Sequence, residues 1–378
     1  MARARRYAAA IVARSPAVIP ASSAARLLAA ARSGSVEVLG AMEGAPLLAV
    51  DLASTDAGLG QLPPPAWLPC VVVGVAPRLT GSVPAGVDVA VAGSDGPGDG
   101  RGAEAASAGW VVVDDPSAEL ERLSGAVEHA PQPAVALAQV LRVGEHLDIE
   151  GALVVESLAY STLQAGPAFA SWLASRLARR SRPPTAPPAS APSPAVLVER
   201  DGDTLRLTLN RPDVRNAVSR RLRDELCEAL AVACAEPSVR AVELRGAGPA
   251  FCSGGDLDEF GTLPDPLSAH LARTSRSPAR LLATLAGRVD AHVHGACVGA
   301  GIELAAFAGR VQATPDATFS LPELGLGLIP GAGGTVSIPR RVGRHRTAWL
   351  ALRGVAIDAD RALDWGLVDE VVAATGPS

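Results

Sequence analysis

The chain has 378 residues, 48% apolar and 19% charged; that is too long for one ordinary domain, fits two, and excludes global disorder. The net charge is −5 and all 34 basic residues are arginine, which argues against a nucleic-acid binder, since such proteins carry a basic patch or stripe. No apolar run approaches the ~20 residues needed to span a bilayer.

The bias toward Arg, Ala, Gly and Pro is that of a GC-rich genome and reads as bacterial. Five cysteines (Cys70, Cys227, Cys234, Cys252, Cys297) contain no CxxC pair. That suits a reducing cytoplasm better than a disulfide framework or a zinc site. Residues 1–35 form an Arg/Ala-rich N-terminal segment, expected to be a frayed helix. Residues 36–180 are expected to be a smaller α/β domain. Its candidate strands are VEVLG (36–40), PLLAVDL (46–52), PCVVVGV (69–75), VDVAV (87–91) and WVVVDD (110–115), and helical text fills roughly 117–180. The stretch SRPPTAPPASAPSPA (181–195) reads as an extended polyproline spacer.

Residues 196–378 form the second domain. AVLVE (195–199) and TLRLTLN (204–210) predict a hairpin. Leu222, Leu226, Leu230 and Cys234 recur every fourth residue, which predicts a helix with one buried face and places Cys227 and Cys234 in the core. A strand at 239–246, a glycine loop, helical segments and a strand at 290–294 follow, and a helix begins near Gly301. Alternation of this kind implies an α/β domain with mostly crossover connections. Trp349 and Trp365 read as packing residues on helices 343–353 and 359–365.

The loop GAGPAFCSGGDL (246–257) fails the dinucleotide template, because Phe251 stands where the third glycine belongs. Its glycines can still present peptide N–H groups to a ligand. In VHGACVGAGIELAAFAGR (293–310), small residues at 299–301 lead into an apolar helix with one carboxylate, Glu303. The first N–H groups of a helix lack partners and carry partial positive charge. Two such donors from separate loops would make an oxyanion hole. A second carboxylate, Glu323, lies in the nearly uncharged FSLPELGLGLIPGAGGT (319–335). Two glutamates in apolar settings can hold one water between a base and an acid. His292 and His294 form HxH without the further ligands a metal needs, so no metal is expected.

LNRPDVRNA (209–217), FCSGGDL (251–257), HGACVGAGIELA (294–305) and PELGLGLIPGAGGT (322–335), four motifs in order, resemble the enoyl-CoA hydratase/isomerase, or crotonase, family over roughly residues 196–372. The resemblance implies a crotonase-like spiral of β-β-α units that binds acyl-CoA thioesters. It implies that the backbone N–H groups of Gly255 and Ala300 stabilise an enolate and that Glu303 and Glu323 serve the hydratase branch. It also implies coenzyme A contacts at Arg215, Ala217, Ser253, Asp256 and Leu257. No separate cofactor is expected, since coenzyme A enters as part of the substrate. A cytoplasmic homo-oligomer, a trimer or a dimer of trimers, is the implied assembly.

The family continues past the strand corresponding to LVDEVV (367–372) with helices that close the site, and no such helical tail follows here. LDIEGAL (147–153) matches IDADRAL (357–363), and residues 152–176 resemble that tail. One reading of residues 36–180 is a degenerate copy of the same fold that kept this tail; the alternative is an independent α/β module. The expected function is hydration of a 2-enoyl-CoA to a 3-hydroxyacyl-CoA. One alternative is another crotonase reaction: isomerisation, hydrolysis or oxygenation of an aryl-acetyl-CoA. A second is a non-catalytic acyl-CoA-binding or assembly subunit.

Overall fold

A computed structural model describes residues 18–20, 23–24, 45–53, 66–79, 81–94, 109–179 and 193–373. The candidate strand at 36–40, most of the N-terminal segment and most of the proline-rich stretch lie outside these. The chain packs as two compact units: residues 1–148 with 339–355, and residues 149–338 with 356–378.

The first unit holds a five-stranded parallel sheet of β1 (Ile19–Pro20), β2 (Leu47–Asp51), β3 (Val71–Ala76), β4 (Val89–Gly93) and β5 (Val111–Val113), ordered as in sequence. The valine-rich runs of β3 and β4 are buried almost throughout, as parallel strands covered on both faces must be. Helices α1 (Pro116–His129) and α2 (Pro131–Gly144) follow. Asp115 caps α1 by accepting from the Ser117 and Ala118 amides at 2.9 and 3.1 Å.

The second unit opens with α3 (Ile149–Gln164) and α4 (Pro167–Arg179). The hairpin of β6 (Val196–Asp201) and β7 (Thr204–Leu209) is antiparallel. Then come α5 (Arg220–Ala235), β8 (Ala241–Gly246), α6 (Pro266–Ser275), α7 (Pro278–Leu285), β9 (Val289–Val293), β10 (Ala296–Val298) and α8 (Ala300–Ala305). β11 (Arg310–Ala313), β12 (Thr318–Ser320), α9 (Gly334–Arg353), β13 (Ile357–Asp358), α10 (Ala359–Trp365) and β14 (Glu370–Val371) complete it. The large sheet runs β14-β11-β9-β8-β7-β6, and β10-β12-β13 form a small one. Two successive turns of the chain each add one strand to the large sheet, one to the small sheet, and then a helix: β9, β10, α8, then β11, β12, α9.

Leu222, Leu226 and Leu230 are fully buried on α5, but Cys234 is exposed, against the sequence expectation. Steps of four residues advance 40° beyond a full turn, so three steps carry position 234 about 120° round from Leu222 and past the edge of the buried stripe. Ala233 takes the core position instead. Cys227, Trp349 and Trp365 are buried.

The packing boundary differs from the one drawn at the proline-rich stretch. Residues 149–179 pack in the second unit, where Ala152, Glu156, Tyr160 and Phe169 find their partners. Residues 339–355 return to the first unit. Pro339 and the non-helical Gly343 (φ 80°, ψ 158°) interrupt α9 there. In the first unit Arg344 donates to the Val87 and Ala85 carbonyls at 2.7 and 2.8 Å. Trp349 and Arg353 both donate to Glu119, at 2.8 and 2.6 Å.

Asp88 anchors this unit. Its carboxylate accepts from Arg142 Nε at 2.8 Å and from the Val72 amide at 2.8 Å, and lies 3.4 Å from Arg344 Nη1. All three charged side chains are almost fully buried. Asp88→Ala removes the carboxylate that Arg142 and Arg344 share, leaving Arg344 only its pair with Glu145 at 2.8 Å. The expected loss of stability is ~3–5 kcal/mol, read by denaturant unfolding of the full chain. A loss below ~1 kcal/mol would show that the cluster is not what holds this unit.

Candidate active site

The turn after β7 and the loop after β8 are tied together by one side chain. Asn216 is fully buried. Its Oδ1 accepts from the Arg211 amide at 2.8 Å, and its Nδ2 donates to the carbonyls of Ala247, Ala250 and Phe251 at 2.8, 2.9 and 3.1 Å. Val218 then forms a parallel bridge with Gly255, donating to the Gly254 carbonyl and accepting from the Asp256 amide. Successive strand amides point to opposite sides. The Gly255 N–H therefore faces away from Val218, and it meets no acceptor among the described residues.

The second loop is fastened to the first through Cys252, whose amide donates to Ala296 and whose carbonyl accepts from Val298. Gly299 (φ 49°) turns the chain into α8. Ala300 is the first residue of that helix, so its N–H has no intrahelical acceptor. Gly255 and Ala300 border one cavity of about 700 Å³, together with Glu303 and Glu323.

Glu303 is 2% exposed. Its Oε2 accepts from the Ala332 and Gly334 amides at 2.7 and 2.9 Å. A Cβ at Gly334 would fall 2.6–2.9 Å from this side chain, so only glycine leaves the carboxylate room. A Cβ at Gly299 would likewise overlap the Glu323 Oε1. Glu323 is half-buried, yet its Oε2 is sealed from solvent without a hydrogen-bond partner.

The same turn serves a third carboxylate that the sequence reading passed over. Glu156 on α3 accepts from the Gly333 amide at 2.7 Å, the Thr335 amide at 2.8 Å and the Thr335 hydroxyl at 2.7 Å. Four successive amides, 332 to 335, thus alternate between Glu303 and Glu156. Burial raises all three carboxyl groups. Glu303 stands well above its ordinary range, driven by burial and then by the charges of Glu323 and Glu156. Burial and the Glu156 charge push Glu323 up to about 8, against the pull of its own amide. Burial pushes Glu156 up to about 7, against its hydrogen bonds to residues 333 and 335 and the Arg273 charge.

Of the residues expected to meet coenzyme A, Ser253, Asp256 and Leu257 border the cavity and Arg215 and Ala217 do not. Those two support the loop from behind. The Arg215 carbonyl accepts from the Ser253 amide at 2.9 Å. Arg211 Nη1 donates to the Ala217 carbonyl at 2.6 Å and to Asp256 at 2.9 Å. Tyr160 and Arg273 also line the cavity and were not singled out from sequence. The clue for Glu156 was available: ALVVESLAY (152–160) holds one carboxylate in an apolar run, as GIELAAFAG (301–309) does. Among the described residues there is no group of three or more potential metal ligands, and no helix is long and apolar enough to cross a membrane.

The sequence profile of the Enoyl-CoA hydratase/isomerase family matches residues 199–376. Mevalonyl-coenzyme A hydratase SIDH of Beauveria bassiana is 36% identical over 195 residues, covering 50% of this chain and 67% of the relative. Two Escherichia coli proteins are also 36% identical: 1,2-epoxyphenylacetyl-CoA isomerase, covering 47% of this chain and 69% of the relative, and 2,3-dehydroadipyl-CoA hydratase, covering 47% and 68%. Among solved structures, an enoyl-CoA hydratase of Mycobacterium smegmatis is 36% identical, with a TM-score of 0.45, covering 48% of this chain and 71% of that one. With relatives matched at this identity over two thirds of their length, the chain belongs to the enoyl-CoA hydratase/isomerase family, and its second unit is the crotonase-like spiral.

Proposed function

We propose that the second unit hydrates a 2-enoyl-CoA thioester to the 3-hydroxyacyl-CoA, acting as a carbon–oxygen lyase in the reverse sense. The observation that carries this reading is a pair of carboxylates, buried Glu303 and half-buried Glu323, bordering the same cavity as the unclaimed amides of Gly255 and Ala300. The relatives include both hydratases and an isomerase, so the family alone does not choose the reaction. The second glutamate supports hydration, because adding water needs a base for one proton and an acid for the other.

The thioester oxygen accepts from the Gly255 and Ala300 N–H groups, which draws electron density from C3. Water held between the carboxyl groups gives its proton to the ionised one as its oxygen bonds to C3. The protonated one delivers its proton to C2 as the enolate collapses. The hydrating form is the one in which the pair holds a single proton before and after; because both carboxyls are raised, it is reached as pH climbs toward about 8, and the two titrate as a unit. Their burial suits this, since it disfavours ionising both at once. Ser253, Asp256 and Leu257, which border the cavity, would meet the coenzyme A portion in this reading.

Glu303→Gln and Glu323→Gln are each expected to lower kcat for crotonyl-CoA hydration by ~100- to 10,000-fold, with little change in the affinity for a 3-hydroxyacyl-CoA. Near-wild-type hydration by Glu323→Gln would instead favour a one-glutamate isomerase. Gly255→Pro removes a donor N–H and should cost ~100- to 1,000-fold in kcat; full turnover would detach this loop from the substrate carbonyl.

Stability should show the same carboxyl. The folded protein holds the Glu323 proton up to about pH 8, whereas the unfolded chain releases it near the ordinary carboxylate value of about 4.3. Wild-type stability from this group is complete below the lower value and is lost as pH rises toward the upper one. The Tm of Glu323→Gln relative to wild type should therefore climb between pH 5 and pH 8 in a thermal-shift series. A Tm difference that is flat or falls with pH would place an ionised Glu323 in the resting protein.

A further inference from the structure

The cavity that holds Glu303 and Glu323 is not the only space in this unit. A second cavity of about 270 Å³ shares Val218, Arg223, Arg273, Gly331 and Ala332 with its walls. Arg223, Arg273, Arg276 and Arg280 border the smaller space, against two acids, Glu150 and Glu156. Glu156 is already committed to the amides of Gly333 and Thr335.

Arg273 stands where the two spaces meet. Its Nε donates to Ser157 Oγ at 3.1 Å, its Nη1 to Gln164 Oε1 at 3.2 Å, and its Nη2 to the Ser157 carbonyl at 3.2 Å and to Ser161 Oγ. Its Cζ lies 4.6 Å from the centre of the Tyr160 ring. Every acceptor is neutral, and no carboxylate lies within ion-pair distance among the described residues. A guanidinium carries five N–H donors, so one on Nη1 is left over. Burial works against this charge, yet arginine does not deprotonate in proteins. A half-buried cation that only clamps two helices could be replaced by a neutral donor at lower cost.

We propose that the acyl group of the substrate ends in a carboxylate, and that Arg273 receives it at the junction of the two cavities. The inference rests on the acyl-CoA reading of the site and names the substrate class within it: a mono-thioester of a short dicarboxylic acid. The reacting end lies at the Gly255 and Ala300 amides, and the far carboxylate replaces the missing counter-charge of Arg273. The neighbouring arginines raise the local potential for an anion, and Arg offers the fork geometry that a carboxylate matches.

The test uses unreactive saturated thioesters in matched pairs, glutaryl-CoA with pentanoyl-CoA and adipyl-CoA with hexanoyl-CoA, titrated calorimetrically into the full chain. At least one dicarboxylic member should bind ten or more times tighter than its monocarboxylic partner. Arg273→Gln should bring that ratio close to one, and Arg273→Lys, which keeps the charge, should retain part of it. Equal affinities in the wild type would overturn the proposal, and this readout stands even if Arg273→Gln does not fold. It is also overturned if Arg273→Gln weakens both members of a pair alike, which would assign the guanidinium to coenzyme A phosphates or to helix packing. Crotonyl-CoA hydration, assayed separately, judges the reaction: its absence alongside a dicarboxylate preference removes the hydratase reading and supports this one. Failure to bind any of the four thioesters overturns both.

Discussion

Four consecutive amides between Ala332 and Thr335, shared alternately by Glu303 and Glu156, are the contact on which the second unit depends. A buried carboxylate without donors is costly, and here two of them are satisfied by one short turn. Because neighbouring amides point in opposite directions, the turn can clasp an acid on each side. Glu303 arrives from α8 and Glu156 from α3, far apart in sequence. Fixing the turn therefore fixes the Glu303 carboxylate and helix α3 in one step.

The rest of the site is arranged around that clasp with backbone rather than side chains. Asn216 holds the loop that presents Gly255, Cys252 joins it to β10, and glycines at 299 and 334 clear space for carboxyl groups. Donors fixed in this way need no reorganisation as charge develops on a thioester oxygen. The same dense burial that prepares the donors also raises the acids, so geometry and proton affinity share one cause.

The residues that the sequence revealed are those whose chemistry is local. Glycines before a helix and single glutamates in apolar text can be recognised over a dozen positions, which is why Gly255, Ala300, Glu303 and Glu323 fall in one cavity. Glu156 carries the same local mark but gains its meaning from partners 177 and 179 residues away. Arg273 looks like any arginine on an exposed helix until α3 is laid beside it. Cys234 was misplaced because a four-residue repeat drifts from the true helical period. The proline-rich stretch marked a change in composition, and packing followed the buried faces of α3 and α9 instead.

The return of residues 339–355 to the first unit bears on the order in which the protein is made. Asp88 and Glu119 are synthesised early, but Arg344, Trp349 and Arg353, which meet them in the folded unit, are encoded near the other end. The partners lie 230 to 256 residues apart, which at ~5–20 residues per second takes on the order of ten to fifty seconds to emerge. During that interval Asp88 has Arg142 and Glu119 has Arg122 within reach, but the contacts from Arg344, Trp349 and Arg353 that complete the first unit are still to come.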